Sequence, residues 1–166
     1  MKKSIALLLV LAVLCTFSVF ALGSSSEEGT TDQGSGSAAQ SPDADSTLGN
    51  YKVEIKSCRL AKDYEGKDVA IVTYTFTNVS GENATAFYIA FDDTAYQNGV
   101  GLNEAYILDD SANYSADNQT KEIKKGASLD VEVAYVLNDT TTDVEVEVKE
   151  LISFSDKTVK KTFKIA

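Results

Sequence analysis

The sequence contains no histidine and no tryptophan, and its 166 residues include only one proline and two cysteines. Histidine is the usual general base near neutral pH and the commonest transition-metal ligand. Its absence excludes catalytic machinery of the Ser-His-Asp and Cys-His types, as well as zinc sites built on histidine. Any hydrolytic chemistry would therefore have to depend on carboxylates alone.

Basic residues are scarce relative to acidic ones: 15 Lys and Arg stand against 25 Asp and Glu, which gives a formal net charge of -10. This negative net charge repels a polyanion, and the sequence has no basic stripe interleaved with aromatic residues to overcome the repulsion. We therefore expect no nucleic-acid partner. We expect contact with a membrane only through an N-terminal leader or a lipid anchor.

The two cysteines, Cys15 and Cys58, do not predict an internal disulfide, because Cys15 lies in an apolar N-terminal run. Once that run is removed, Cys58 is the single thiol of the chain. We predict that Cys58 is buried, unpaired and slow to react, since free cysteine is among the most buried residue types. Neither cysteine predicts a cofactor, and no cofactor is expected from the rest of the sequence.

Residues 1–23 have the pattern of a signal peptide. A positive start at Lys2–Lys3 precedes an apolar run from Ile5 to Phe20, and small residues favour cleavage after Gly23. The alternative is lipid attachment at Cys15, which follows the apolar stretch LAVL. Both readings predict a protein that is secreted or held on the extracellular face of the cell envelope.

The remaining chain divides at about residue 48. Residues 24–48 are rich in Ser, Gly and Asp, and they contain the only proline and almost no large apolar side chain. Such a segment cannot bury enough surface to fold, so we predict a disordered spacer. Residues 49–166 are close to the commonest size of a single domain, and we predict one domain there.

From residue 49 onward, apolar and polar residues alternate, which is the pattern of half-buried strands. The pattern is clearest in LDVEVAYVL, where Leu129, Val131, Val133 and Tyr135 share one face. Short turns separate the strands and no amphipathic helix is evident, which favours an immunoglobulin-like antiparallel β-sandwich of seven or eight strands. The other predicted strands are Tyr51–Leu60, Asp68–Asn78, Ala86–Phe91, Glu104–Leu108, Gln119–Lys124, Asp143–Phe154 and Thr158–Ile165.

Two segments depart from the alternation. Val53 and Ile55 have one parity and Cys58 has the other, which predicts a β-bulge in the first long strand or the end of its sheet there. The segment Asp92–Gly101 has no clear period. We expect it to form either a functional loop or a short edge strand.

Four short motifs occur in order along the domain: KDYEGK (Lys62–Lys67), YTFTN (Tyr74–Asn78), AYQNGV (Ala95–Val100) and KKGAS (Lys124–Ser128). Together they resemble an uncharacterised family, a domain of unknown function from Gram-positive bacteria. The resemblance implies a secretion or lipoprotein leader, a Ser/Gly-rich spacer and one immunoglobulin-like domain. It implies no activity.

We take Asp63, Tyr64, Tyr96 and Asn98 as candidate binding residues, because they lie in turns or irregular segments, where function concentrates. Asp63 also belongs to an acidic turn, 63–68, that could contribute to a calcium site. Its spacing matches no calcium loop, so a solvated turn is the favoured interpretation, and the identity of any metal stays unknown.

These observations favour a non-catalytic extracellular or cell-envelope binding module. The expected partner is an envelope protein or polymer of unknown identity. Two alternatives stay open: a carboxylate-based hydrolase of an envelope polymer, and a calcium-dependent module. An enzyme is expected to have a concave pocket with at least two converging carboxylates, whereas a binding module is expected to have a shallower surface and exposed aromatic residues.

Overall fold

The computed structural model describes residues 45–107 and 113–166. The predicted signal peptide and residues 24–44 of the predicted spacer lie outside the described residues, so both stay predictions. Residues 45–48, which the prediction places at the end of the spacer, are described: Thr47 and Leu48 form a short strand and Leu48 is buried. No helix in the described ranges is long and apolar enough to cross a membrane.

Two antiparallel sheets of four strands each form the described fold. The first sheet has the order β1-β2-β3-β6 and the second has the order β5-β4-β7-β8. The predicted antiparallel β-sandwich is therefore confirmed. In chain order the strands are β1 (Thr47–Leu48), β2 (Tyr51–Lys62), β3 (Asp68–Asn78), β4 (Phe91–Gln97), β5 (Val100–Gly101), β6 (Ser128–Val136), β7 (Val144–Glu150) and β8 (Thr158–Phe163).

The main core lies between the two sheets. Alternate residues of β3 and β6 enter it from the first sheet, and alternate residues of β7 enter it from the second. Val131, Val133 and Tyr135 are buried and Asp130 is exposed, as the alternation predicts. The side chains that carry this contact include Val72, Tyr74, Phe76, Val131, Val133, Val144, Val146 and Val148.

The predicted bulge lies in β2. Ile55 pairs with Tyr74 and Ser57 pairs with Thr73, so Lys56 has no partner across the ladder. The extra residue changes the parity and returns Cys58 to the inner face, opposite Val72.

A second, smaller apolar cluster covers the outer face of the first sheet. Val69 and Ile71 of β3 and Ala134 of β6 are buried there beneath Ala105 and the half-buried Tyr114. The described residues between β5 and β6, called the crossing segment here, lie on this face and are held by hydrogen bonds to β6, including Ala105 N to Ala134 O at 2.8 Å. This crossing segment explains why both faces of β3 are apolar near Val69.

The prediction of a strand over Ala86–Phe91 is wrong, because these residues form a short helix, α1 (Phe87–Ala90), followed directly by β4. Phe87, Ala90 and Phe91 are buried while Tyr88 and Ile89 are exposed. That is a helical i, i+3, i+4 pattern, which was visible in the sequence but was too short to stand out.

The prediction that Asp92–Gly101 is a functional loop or a short edge strand is also wrong in part. Most of the segment is β4, which pairs with both β5 and β7 and is therefore an interior strand. Two carboxylates near the start of β4 interrupt the apolar alternation that would predict a strand. Asp92 pairs with Lys149, and Asp93 accepts a hydrogen bond from the Tyr135 hydroxyl. Within this segment only β5 is a short edge strand, which is the second of the two predicted alternatives.

Three further predicted strands need correction. Of Glu104–Leu108, only Glu104 forms an isolated bridge, to Tyr135, and residue 108 lies outside the described ranges. The segment predicted as Gln119–Lys124 contains the end of a 3-10 helix, Ala116–Gln119, and a single bridge at Ile123. The strand predicted to reach Phe154 ends at Glu150.

Candidate functional site

The turn between β2 and β3 holds two of the predicted binding residues. The Oδ1 atom of Asp63 accepts hydrogen bonds from the backbone N–H groups of Glu65 and Lys67, each at 2.8 Å. The other carboxylates of the turn are paired, Glu65 with Lys67 at 2.5 Å and Asp68 with Lys62 at 2.6 Å. Asp63 therefore shapes the turn, while Tyr64 is exposed beside it.

The other two predicted residues lie on the second sheet. Asn98 has a positive φ of 51° and is followed by Gly99 at 75°, which is the two-residue hairpin turn that joins β4 to β5. Tyr96 is half-buried on β4 and lines a shallow depression with Thr94, Glu147 and Lys149. The hairpin turn therefore explains the presence of Asn98 without any role in binding.

The two turns lie at the same end of the sandwich. Leu137, just after β6, donates a backbone hydrogen bond to Asp68 O at 2.9 Å, and the next residue, Asn138, donates to Gln97 Oε1 at 2.8 Å. No hydrogen bond or ion pair joins the two turns within the described residues. The role of Asp63, Tyr64, Tyr96 and Asn98 in binding stays a prediction.

A cleft of about 450 Å³ lies near the beginning of β4. We call it the acidic cleft. It is bounded by α1, by the start of β4 and by the segment that crosses toward β6. Its lining residues are Phe87, Tyr88, Phe91, Asp92, Asp93, Glu104, Gln119, Thr120 and Leu151.

A hydrogen-bonded chain connects the acidic cleft to the main core. The Tyr135 hydroxyl donates to Asp93 Oδ2, and the hydroxyls of Tyr74 and Tyr135 are 3.0 Å apart. Because Tyr135 has one hydroxyl proton and gives it to Asp93, Tyr74 is the donor in the second bond. Both tyrosines are almost completely buried, so the chain satisfies polar groups that have no access to water.

Burial dominates the titration of this chain. It raises the pKa of Asp93 to about 6, and the nearby carboxylate of Glu104 adds to the increase, while the hydrogen bond from Tyr135 opposes it. Burial likewise raises the pKa of Tyr74 and Tyr135 well above the ordinary value for tyrosine. Both tyrosines are therefore neutral hydrogen-bonding groups at any physiological pH.

The three carboxylates of the acidic cleft differ in their surroundings. Asp92 is paired with Lys149 at 2.9 Å, and Asp93 receives the Tyr135 hydroxyl. Glu104 is exposed and makes no hydrogen bond or ion pair with another described residue. In residues 45–107 and 113–166, no group of three or more carboxylate, thiol or imidazole side chains is arranged to hold a metal ion.

Beside the acidic cleft, four exposed apolar side chains form a ridge: Tyr88, Ile89, Leu151 and Ile152. We call this set the α1 ridge. The backbone N–H of Leu151 donates to Ala90 O at 3.0 Å, which fixes the chain after β7 against the helix. A second groove of about 230 Å³ lies on the other flank, lined by Asn50, Tyr51, Thr85, Ile89, Ala90, Glu150 and Ile152.

Sequence reasoning missed both the acidic cleft and the α1 ridge. Glu104 and Leu151 are distant in the chain, and only the tertiary fold brings them to α1. The available signal was the run LISF at Leu151–Phe154, where apolar residues continue after the alternation of β7 ends. In the structure Ile152 is 82% exposed, so this run is surface and not strand.

The sequence matches a protein-family model, Domain of unknown function (DUF5067), over residues 26–150. The chain belongs to this family. The resemblance stated from the four motifs is thereby confirmed. The matched range of DUF5067 contains α1, every residue that lines the acidic cleft except Leu151, and every strand except β8.

Solved structures share the fold of this DUF5067 member. A candidate lipoprotein from Bacillus subtilis, YcdA, has a TM-score of 0.56 and 17% identity over 74% of this chain. The match spans 39% of that protein, so most of its length has no counterpart here. A candidate lipoprotein from Staphylococcus aureus has a TM-score of 0.53 and 20% identity, covering 70% of this chain and 84% of its own. A search of curated proteins finds no match.

Proposed function

We propose that the protein is a non-catalytic binding module on the outer side of the cell envelope, with the acidic cleft as its ligand site. The observation that carries this proposal is the cleft itself. It is an opening of about 450 Å³ that combines an exposed aromatic wall, Tyr88, with a free carboxylate, Glu104. Exposed aromatic residues beside a few polar groups are typical of recognition sites.

The location of the module is supported by the leader pattern of residues 1–23 and by the lipoprotein descriptions of the two solved neighbours. A spacer at residues 24–48 would hold the domain away from the membrane by roughly 25 to 30 Å if it behaves as a flexible coil. The cleft would then be accessible to other components of the envelope. Membrane attachment would depend only on the leader or on a lipid anchor.

A carboxylate-based hydrolase is the second candidate, because Asp93 has a pKa of about 6 and shares the cleft with Glu104. General acid catalysis by a carboxyl group uses such a raised pKa. Against it, one Asp93 oxygen is already engaged by Tyr135 and the Asp92 carboxylate is paired with Lys149. Binding is favoured because Glu104 is the one carboxylate of the cleft that has no hydrogen-bond or ion-pair partner among the described residues.

The proposal is tested by capture from envelope fractions and culture supernatant on the immobilised protein lacking residues 1–23. The informative variants are Tyr88→Ala in the acidic cleft and Tyr64→Ala in the turn at the other end. Both remove one exposed tyrosine from a surface position, so neither is expected to unfold the domain. We expect Tyr88→Ala, and not Tyr64→Ala, to abolish capture.

The opposite pattern would move the ligand site to the turn that contains Asp63 and Tyr64. Absence of any captured component would overturn the binding function. Release of cleaved polymer by the wild type, lost in Asp93→Asn, would establish the hydrolase instead.

A further inference from the structure

The α1 ridge is an apolar surface placed between two grooves. Tyr88 and Ile89 are about half exposed, as is Leu151, and Ile152 is 82% exposed. Tyr88 and Leu151 border the acidic cleft, whereas Ile89 and Ile152 border the second groove. Because Ala90 and Leu151 are hydrogen-bonded, the helix and the loop present these side chains as one surface.

Resting on the proposed binding function, we propose that the α1 ridge and its two grooves bind a cationic amphipathic segment of a partner protein. The apolar side chains of that segment would cover the ridge, and its basic side chains would enter the grooves. Binding of this type uses an apolar stripe flanked by charge, as when an amphipathic helix lies in a groove.

The charges around the ridge determine the sign of the partner. Asp93 and Glu104 line the acidic cleft, Glu150 lines the second groove, and neither lining contains a lysine or an arginine. Lysines that adjoin lining residues in the chain include Lys149, which is paired with Asp92, and Lys121, which donates a hydrogen bond to Asn118 Oδ1 at 2.8 Å. Glu104 and Glu150 make no ion pair with any described residue, so both are available to a cation.

The same charges disfavour two other possible occupants of the α1 ridge, an anionic lipid surface and a second copy of the chain. An anionic lipid surface would face these carboxylates and a protein of formal net charge -10. A second copy of the chain would bring like charges together around the ridge. A basic partner is the occupant that gains from both the apolar and the acidic parts of the surface.

The test uses a synthetic amphipathic Lys/Leu peptide of about 18 residues that contains a single tryptophan. The protein has no tryptophan, so the peptide's indole fluorescence reports binding without background. We expect a blue shift on titration with the protein lacking residues 1–23, and weaker binding as the salt concentration is raised from about 0.02 M to about 0.3 M. A matched Glu/Leu peptide is expected not to bind.

Variants on the ridge and in the grooves separate the two contributions. We expect Ile152→Ser to reduce the affinity about tenfold, because an apolar side chain no longer covers the peptide. Glu104→Gln and Glu150→Gln are each expected to reduce the affinity about threefold at low salt and to weaken its salt dependence. The controls Val100→Ser and Glu145→Gln change an equivalent exposed residue on β5 and β7, away from the ridge, and should leave the affinity unchanged.

The proposal would be overturned if the Glu/Leu peptide bound equally well, or if the Val100→Ser control lost as much affinity as Ile152→Ser. It would also be overturned if the protein bound anionic phospholipid vesicles through Ile152, or if sedimentation showed a dimer that Ile152→Ser dissociates. Failure of the Lys/Leu peptide together with envelope capture that needs Tyr88 would reject the cationic partner and leave the binding function intact. Circular dichroism of each variant verifies that the fold is retained.

Discussion

Asp93 is a residue at which burial opposes ionisation. The folded protein keeps its proton up to a pKa of about 6, compared with an ordinary value of 3.8. The unfolded chain ionises first as pH rises, so the folded state is stabilised below about pH 4 and loses that stability as the pH rises to about 6. Above this range the contribution of Asp93 is constant.

We predict that Asp93→Asn removes this part of the pH dependence. The free energy of unfolding of the wild type, relative to the variant, should decrease by about 3 kcal/mol between about pH 4 and about pH 7. Asparagine can still accept the hydroxyl proton of Tyr135, so the buried chain of tyrosines keeps its acceptor. Urea denaturation of both proteins at several pH values measures the difference, and parallel profiles would contradict the prediction.

Cys58 is half-buried, unpaired and packed against the main core. Burial raises its pKa to about 11, so only a very small fraction is thiolate at neutral pH. We predict that labelling of the folded protein by a thiol reagent at about pH 8 is about 100-fold slower than labelling in urea. Matching rates in the two conditions would instead identify an accessible, reactive thiol.

At the scale of the element, the bulge in β2 leaves Lys56 without a partner across the ladder to β3. The ammonium group of Lys161, on β8, donates to Ile55 O at 3.0 Å and to Lys56 O at 2.8 Å, and so joins the edges of the two sheets. The same group lies 5.0 Å from the centre of the Phe163 ring. The Lys161 side chain therefore links β8 to β2 on this side of the sandwich.

We predict that Lys161→Met lowers the free energy of unfolding by about 1 kcal/mol, because the carbonyls at the bulge lose their donor. The neighbouring Lys160→Met is the matched control. Lys160 forms an exposed ion pair with Glu147, and such pairs contribute about 0 to 1 kcal/mol. Chemical denaturation at neutral pH compares the two, and a loss no larger in Lys161→Met than in the control would reject the role assigned to it.

The long strands could be predicted from the sequence because their pattern is local. Asp68–Asn78 was predicted with the bounds that β3 has, and the bulge was inferred from the parity of Val53 and Cys58. Elements whose burial depends on distant partners could not be predicted in this way. α1 gives only one turn of helical pattern, and the segment after β5 owes its position to apolar residues on the outside of the first sheet.

The candidate site was less predictable than the fold for the same reason. The residues of the acidic cleft come from α1, β4, the crossing segment and the chain after β7, so no local motif contains them. The four predicted residues came instead from turns, because turn chemistry is visible in the sequence. Asp63 and Asn98 illustrate the ambiguity, since both stabilise a turn whether or not they bind a ligand.

For the whole molecule, the described structure begins at Asp45, within the last four residues of the predicted spacer. Ser46 O accepts a hydrogen bond from Val53 N at 3.0 Å, and Asp45 pairs with Lys157, so the first described residues are held to the rest of the domain. We predict that a protease specific for acidic residues removes the chain up to Asp43 and leaves a stable fragment to Ala166. Mass spectrometry identifies its start, and a protected fragment that begins well before Pro42 would place the spacer within the fold.

The order of strands in the first sheet has a consequence for how the chain folds as it is made. The central strand, β3, pairs on one side with β6, and Phe76 faces Leu129 across that ladder. β4 similarly needs β7, since Ala95 pairs with Val146. A chain that emerges N-terminus first, from a ribosome or through a translocation pore, cannot complete the first sheet until Val136 has emerged, or the second sheet until Phe163 has emerged. β2 and β3 can pair early because they are consecutive, but the complete sandwich forms only after nearly the whole domain has emerged, because both sheets join strands that lie far apart in the sequence.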